Sequence, residues 1–218
     1  MKLITNHVTL LKSSRSTHPA DIPPRVTKEF ALELTEPLTH IFNCCLNQGI
    51  FPAVWKTSSV SLIPKTPNAK SLDQLRPISL TRLNGKIFES FLAEWTMVDF
   101  YPHIDEQQYG NVKDSSTTHY LVDVVDTVLK GIDEAGHYAT LCAIDFTKAF
   151  DRINHNIAVQ KLIDIGIRPS IIPVISSFLC NRTQSVRIKG RSSACQSISG
   201  GVPQGTKFGP TIFFRHGQ

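Results

Sequence analysis

No stretch of this 218-residue chain approaches the roughly 18 consecutive apolar residues of a membrane span. The opening run MKLITNHVTLLKSS is too short in apolar residues, and too broken by polar ones, for a secretory signal. An intracellular protein of the cytoplasm or nucleus, without a membrane segment, is therefore expected. Cysteine is sparse, and Cys44, Cys45, Cys142, Cys180 and Cys195 are odd in number and show no C-x-x-C spacing. That pattern argues against a zinc site or a disulfide framework and for a reducing compartment. Long charge blocks, internal repeats and low-complexity tracts are missing as well, which leaves no charged tail or repeat array to consider.

What is there is an ordinary globular composition. A hydrophobic fraction of 41% is enough for a packed core, and a net charge of +5 with a pI near 9.0 points to an acidic partner, nucleic acid first. Residues 1–20 read as polar, basic and unpatterned, ended by Pro19, Pro23 and Pro24. From Lys28 to Gln48, Phe30, Leu34, Leu38, Ile41, Phe42 and Leu46 recur at helical spacing. Pro37 is expected to split this into two helices, with Gly49 ending the second. Ser59–Ile63 alternates as a strand stopped by Pro64. Leu83, Ile87, Phe88, Phe91, Leu92 and Trp95 outline a further helix. Another starts near Ser115 or Ser116, with Leu121, Val124, Val125, Val128 and Leu129 along one face. Ala139–Ile144 reads as a short buried strand with Asp145 at its end. Helices at 153–165 and 170–180, a strand at Gln184–Lys189 and a last helix from about Gln204 complete an α+β pattern with a mainly antiparallel sheet.

Three segments carry chemistry. The first is LCAIDFTKAFDRINH, residues 141–155. A carboxylate at the tip of a buried strand is costly unless solvent, a partner or a metal compensates, and its oxygens suit Mg²⁺. The ordinary alternative is a strand-to-helix turn in which Asp151 caps the following helix. The second is SGGVPQGTKFGP, residues 199–210, where Gly200 and Gly201 allow close backbone approach and Gln204 both donates and accepts. It has neither the Walker A nor the dinucleotide glycine spacing, so a plain glycine-rich turn is the alternative. The third is SLIPKTPNAKSLDQLRPISL, residues 61–80, whose Lys65 and Arg76 can converge on a polyphosphate or merely decorate a solvated loop.

In this order, these segments resemble the reverse transcriptase domain of LINE-like non-LTR retrotransposons. The resemblance runs from about Asp21 to Phe213. The stretch DIPPRVTKEFALELTEPLTHIFNCCLNQGIFPAVWKTSSVSLIPK is similar to the family's opening, and RPISLTRLNGKIFE to its fingers motif. QQYGNVKDSSTTHYLVDVVDTV resembles the approach to the palm, with Asn111-Val112 in place of a more usual aromatic-basic pair. IDFTKAFDRINH resembles the first palm motif. NRTQSVRIKG and GGVPQGTKFGP resemble the next strand and the second palm motif, with Phe208 where Leu is commoner.

The resemblance implies polymerase fingers over 21–138, after a polar segment at 1–20, and part of a palm over 139–218. It implies two-metal nucleotidyl transfer that copies RNA into DNA, with an RNA template, a DNA primer, dNTPs and Mg²⁺. Asp145 and the carbonyl of Phe146 would be Mg²⁺ ligands, and Phe150 a steric gate against ribose. Gln204 and Gly205 would pack on the incoming nucleotide and template, Arg76 and Lys65 would hold the triphosphate, and Asp151 would be structural support.

One departure stands out. The family's third palm motif carries an Asp-Asp pair, and this sequence has no Asp-Asp dipeptide. Two Mg²⁺ ions about 4 Å apart need more than one carboxylate against their repulsion. The nearest alternative, Asp123 with Asp126, falls in a helical segment and reads as its solvated face. The expectation is a polymerase by descent that is inactive alone; the alternatives are a non-catalytic RNA-binding remnant or a functionless relic. An open apolar sheet edge, and lower order over 195–218 than over 76–95 or 139–165, are expected with it.

Overall fold

The computed structural model describes residues 2–11, 18–110, 112, 114–133, 136–146 and 148–216. The described chain falls into two compact units, one joining residues 1–99 with 149–218 and the other formed by 100–148.

The first unit opens with helix α1 (Lys2–Thr9), so residues 1–20 are not all unpatterned. Ile4, Val8 and Leu11 are buried at helical spacing, and α1 packs on helix α3 (Ala31–Gln48). The pattern is too short to stand out in sequence, and the packing partner supplies what local propensity lacks. The break before α3 comes at Phe30, after helix α2 (Pro24–Glu29), and Pro37 lies inside α3. This corrects the expected split at Pro37. Ala31, Thr35, Leu38, Phe42 and Cys45 share one buried face on both sides of the proline, and that burial outweighs one lost backbone bond. Gly49 ends α3 in the left-handed region at φ 66°, as expected, and its Cα faces Pro173 too closely for a side chain.

Strand β1 (Thr57–Pro64) pairs antiparallel with β2 (Leu75–Leu80) and parallel with β3 (Arg182–Ile188). The sheet order is β2-β1-β3-β4, with β4 (Arg191–Ser192) and β5 (Gln196–Ile198) both antiparallel to β3. The sheet is therefore mixed, antiparallel except for the β1–β3 pair. Alternation sets Val60, Leu62, Pro77, Ser79, Arg182, Gln184 and Val186 on one face and Ile63, Arg76 and Ile78 on the other. Strand β2 is absent from the sequence reading because Pro77 argues against a strand; it is tolerated here because β2 lies at the sheet edge.

Helix α4 (Leu83–Phe100) is started by Asp21, whose carboxylate accepts from the Leu83 N–H. Helix α6 (His155–Asp164) packs on α7 (Ile172–Leu179) and on α8 (Phe208–His216), and α8 meets α4 where the Phe208 N–H donates to Glu89. The core is aromatic. The Phe51 ring lies 5.7 Å from Trp55, 5.8 Å from Phe88 and 5.1 Å from Phe178, and Phe178 meets Phe208 edge-on at 5.6 Å. Contrary to the expected lower order, Val202, Phe208 and Ile212 are buried within 200–212, while 195–197 are exposed. The expected apolar edge is not seen among the described residues, because loop residue Gln204 covers β2 at Ser79 and β4 is short and polar.

The second unit holds helix α5 (Thr117–Ile132), capped by the Ser116 hydroxyl, which accepts from the His119 N–H at 3.3 Å. Residues 139–146 form no strand, and Leu141 and Ile144 are 69% and 82% exposed. The buried strand expected here does not form, and an extended segment without ladder bonds does not hold strand structure.

Candidate functional site

The glycine-rich loop 199–206 and the segment 149–155 dock on each other. Residues Ala149–Arg152 form a 3-10 turn, and the Phe150 carbonyl accepts from Val202 N–H at 2.9 Å. The Ile153 carbonyl accepts from Gly201 N–H at 2.8 Å, and His155 Nε2–H donates to the Gly201 carbonyl at 2.7 Å. At Gly201, φ is 76° and a Cβ would stand 2.8 Å from the Asp151 carbonyl oxygen, so only glycine fits without strain. The Gln204 side-chain amide donates to Asp151 Oδ1 at 3.2 Å, while the Gln204 main-chain carbonyl accepts from the Ser79 N–H at 2.8 Å. Asp151 therefore does not cap α6. Asn154 does, accepting from Asn156 and Ile157 N–H at 3.0 and 3.2 Å.

Between loop and sheet lies a cavity of about 300 Å³ whose polar lining includes Ser79, Asp151, Gln184 and Gln204. The loop then rounds the edge of β2, bringing Gly205 beside Ile78 on the other face. Arg76 belongs to that second face. It sits opposite Ile63 in the hairpin, and the ladder continues through the Lys65 N–H to the Gln74 carbonyl at 2.8 Å. Lys65 and Arg76 are thus diagonal neighbours, both exposed, with Lys65 Nζ donating to the Asp73 carbonyl at 2.9 Å. Phe150, Gln204 and Gly205 come together around the loop, and Lys65 and Arg76 together on the hairpin. Asp145 and Phe146 belong to the second unit, on the exposed stretch 139–146.

Comparison with known proteins settles the family. Residues 63–216 match the family described as "Reverse transcriptase (RNA-dependent DNA polymerase)". This chain is a reverse transcriptase family member. Its relatives are of the LINE-like, non-LTR kind. It is 34% identical to the RNA-directed DNA polymerase from mobile element jockey of Drosophila melanogaster, over 81% of this chain and 19% of that protein. It is 29% identical to the probable RNA-directed DNA polymerase from transposon X-element, and 28% to that from transposon BS, both of the same species; each match covers 81% of this chain and 20% of the relative. The chain spans about one-fifth of the length of these relatives.

For a reverse transcriptase the metal question follows. The Asp145 carboxylate and the Phe146 carbonyl are hard oxygen donors of the kind Mg²⁺ takes. Among the described residues, however, no group of three or more His, Cys, Asp or Glu side chains gathers to hold a metal. Asp123 and Asp126 are exposed on α5, where Asp126 pairs with Lys130 at 2.6 Å. The described residues do not by themselves build a two-metal centre.

Sequence reasoning missed the most strongly perturbed acid of this reverse transcriptase chain. Glu89 on α4 is buried, and Oε1 accepts from the Phe208 N–H at 2.7 Å. Burial pushes its carboxyl up to about 7, opposed by the Phe208 N–H and by Arg182. Burial also draws the Arg182 guanidinium down to about 10. That group lies 4.7 Å over the Phe178 ring and donates to the Phe178 carbonyl at 2.9 Å, while its Nε has no hydrogen-bond partner among the described residues. No local pattern announced it: residues 83–92 read LNGKIFESFL, polar as well as apolar, yet α4 is buried on every side over 85–93. Charged residues on so buried a helix need partners inside the protein.

Proposed function

We propose that this chain forms the fingers and the front of the palm of an RNA-directed DNA polymerase, and that it holds template and incoming nucleotide without completing catalysis by itself. The observation that carries this reading is the docking of Phe150 and Asp151 on the glycine-rich loop, Phe150 at Val202 and Asp151 at Gln204, beside the edge of β2. It sets Asp151, the Gln204 amide and the backbone of Gly200 and Gly201 around one cavity, with Phe150 bonded to the adjoining loop through its carbonyl. In this reading Phe150 excludes the ribose 2′-hydroxyl by shape, and Gln204 with Gly205 contacts nucleotide and template. Arg76 and Lys65 offer cations to the triphosphate, Arg in bidentate fashion and Lys as a point charge. Residues 21–138 would serve as fingers and 139–218 as partial palm. Asp145 with the Phe146 carbonyl would contribute to a Mg²⁺ ligand set that the described residues leave incomplete.

The net charge of +5 supports phosphate contacts. Binding to an RNA–DNA primer–template is expected to weaken steeply as salt rises. Gln204→Ala should weaken it further at fixed salt. Primer extension on an RNA template with Mg²⁺ should give no product from this chain, and Asp145→Ala should not alter duplex binding. Extension by the wild type that Asp145→Ala abolishes would overturn the claim of incompleteness. Failure to bind primer–template at low salt would sink the reading as a whole. A second reading, a non-catalytic RNA-binding remnant, is favoured by the lack of a metal-holding cluster among the described residues; it predicts binding to single-stranded RNA as tight as to the primed hybrid.

A further inference from the structure

Helix α8 begins immediately after the glycine-rich loop, and its first amides do not all look to that loop for partners. Thr206 Oγ1 accepts from the Gly209 N–H at 3.2 Å and donates to the Pro203 carbonyl at 2.9 Å, a local cap. The N–H of Phe208 points away from it, to Glu89 Oε1 at 2.7 Å, and the Lys207 N–H also donates to that carboxyl. Glu89 belongs to α4, 119 positions earlier in the chain, and is 2% exposed. A carboxyl group at a helix N-terminus satisfies amides that have no partner within the helix, and favours them further when charged.

We propose that Glu89 is a positioning residue for the glycine-rich loop: its carboxyl fixes the first turn of α8, and through Pro203–Thr206 it sets where Gln204 stands between Asp151 and Ser79. The loop has few other anchors on its C-terminal side. Gln204 is held by one side-chain bond to Asp151 and one backbone bond to Ser79, and it stands four residues before Phe208, whose amide Glu89 holds. Phe208 is buried against Phe178, so the ring and the amide of one residue are gripped by two different elements. The charged groups facing Glu89 are Lys86 of its own helix and Arg182 of β3. The Lys207 side chain turns outward, 3.8 Å from Glu94. The role in substrate contact rests on the polymerase reading; the fixing of α8 does not.

The test uses the full chain and reads amide hydrogen exchange residue by residue, with Ala158 of α6 and Ile175 of α7 as references. Glu89→Ala should speed exchange at Lys207 and Phe208 by about tenfold or more, the effect of losing a charge-assisted bond, and leave the references unchanged. Glu89→Gln keeps an oxygen that accepts the same bonds. It should preserve slow exchange there, and should abolish the change in protection that the wild type shows around pH 7 once the chemical exchange rate is divided out. Uniform acceleration at every amide, or none at Lys207 and Phe208, overturns the proposal. If Glu89→Ala does not fold, the pH profile of Glu89→Gln decides: a profile matching the wild type overturns it. Primer–template binding measured alongside separates the two layers. Wild-type chain that binds no duplex refutes the polymerase reading and leaves the exchange result standing, whereas normal binding with unchanged exchange refutes the positioning role alone.

Discussion

Residues 139–146 and residues 200–212 both carry motifs of the reverse transcriptase family and both contain large apolar side chains, yet they meet different fates. In the later stretch Val202, Phe208 and Ile212 are buried, and the backbone is bonded to residues 150, 153 and 79. In the earlier one Leu141, Ile144 and Phe146 are 69%, 82% and 60% exposed, and the backbone joins no sheet. Apolar content is the same in kind. What differs is whether another element presents a surface of matching shape and unsatisfied backbone groups. A sequence motif therefore names a chemical role without guaranteeing that its scaffold is formed.

The largest test of this contrast is truncation of one apolar side chain in each stretch. Phe208→Ala should cost about 3–5 kcal/mol in urea denaturation, and Ile144→Ala no more than about 0.5 kcal/mol. Equal costs would mean that residues 139–146 are packed as tightly as α8.

Next in size is the pH dependence that Glu89 imposes. Its carboxyl titrates at about 7 in the folded chain, against 4.5 ordinarily. Between those values the folded state keeps a proton that the unfolded state has released, so stability is full below 4.5, falls as pH rises to about 7 and is level beyond. The drop is on the order of 3 kcal/mol as an upper bound. Glu89→Gln should flatten this part of the profile, while Asp145→Asn, in the exposed stretch, should leave it in place.

Gly201→Ala comes third. It forces a side chain into the left-handed region and against the Asp151 backbone, and should cost about 2 kcal/mol or more, read as a lowered denaturation midpoint with unchanged slope. A smaller effect than at Gly201 is expected at Arg168, whose guanidinium meets Asp99 at 2.7 and 2.5 Å and holds that carboxyl below its usual range. Because Arg168 is partly exposed, solvent screens the pair, and Arg168→Met should cost only about 1 kcal/mol.

Much of the framework was legible. Helices α4, α5, α6 and α7 and strands β1 and β3 follow the apolar periodicities that announce them, Gly49 ends α3, and Ser116 caps α5. The misses share a cause. Pro37 inside α3 and Pro77 inside β2 break local rules and are tolerated because the faces around them are buried or the strand lies at an edge. Helix α1 is too short to be stable by propensity and is held by α3. The last helix begins at Phe208 and not near Gln204, because Pro203–Thr206 is occupied by bonds to Asp151 and Ser79. Within the site, Gln204 and Gly205 were readable as chemistry, but the bond from Gln204 to Asp151 joins residues 53 positions apart. No local pattern encodes that.

By itself the sequence determined the family, the order of its motifs and the residue types available for chemistry, because these depend on identity and spacing along the chain. The tertiary structure alone decided which carboxyl groups are buried and which face water. Glu89 lies under α8 and Asp145 on an exposed stretch, although both are acids beside apolar residues in sequence. The reason is physical: a charge is perturbed by the atoms packed around it, and those atoms come from distant parts of the chain.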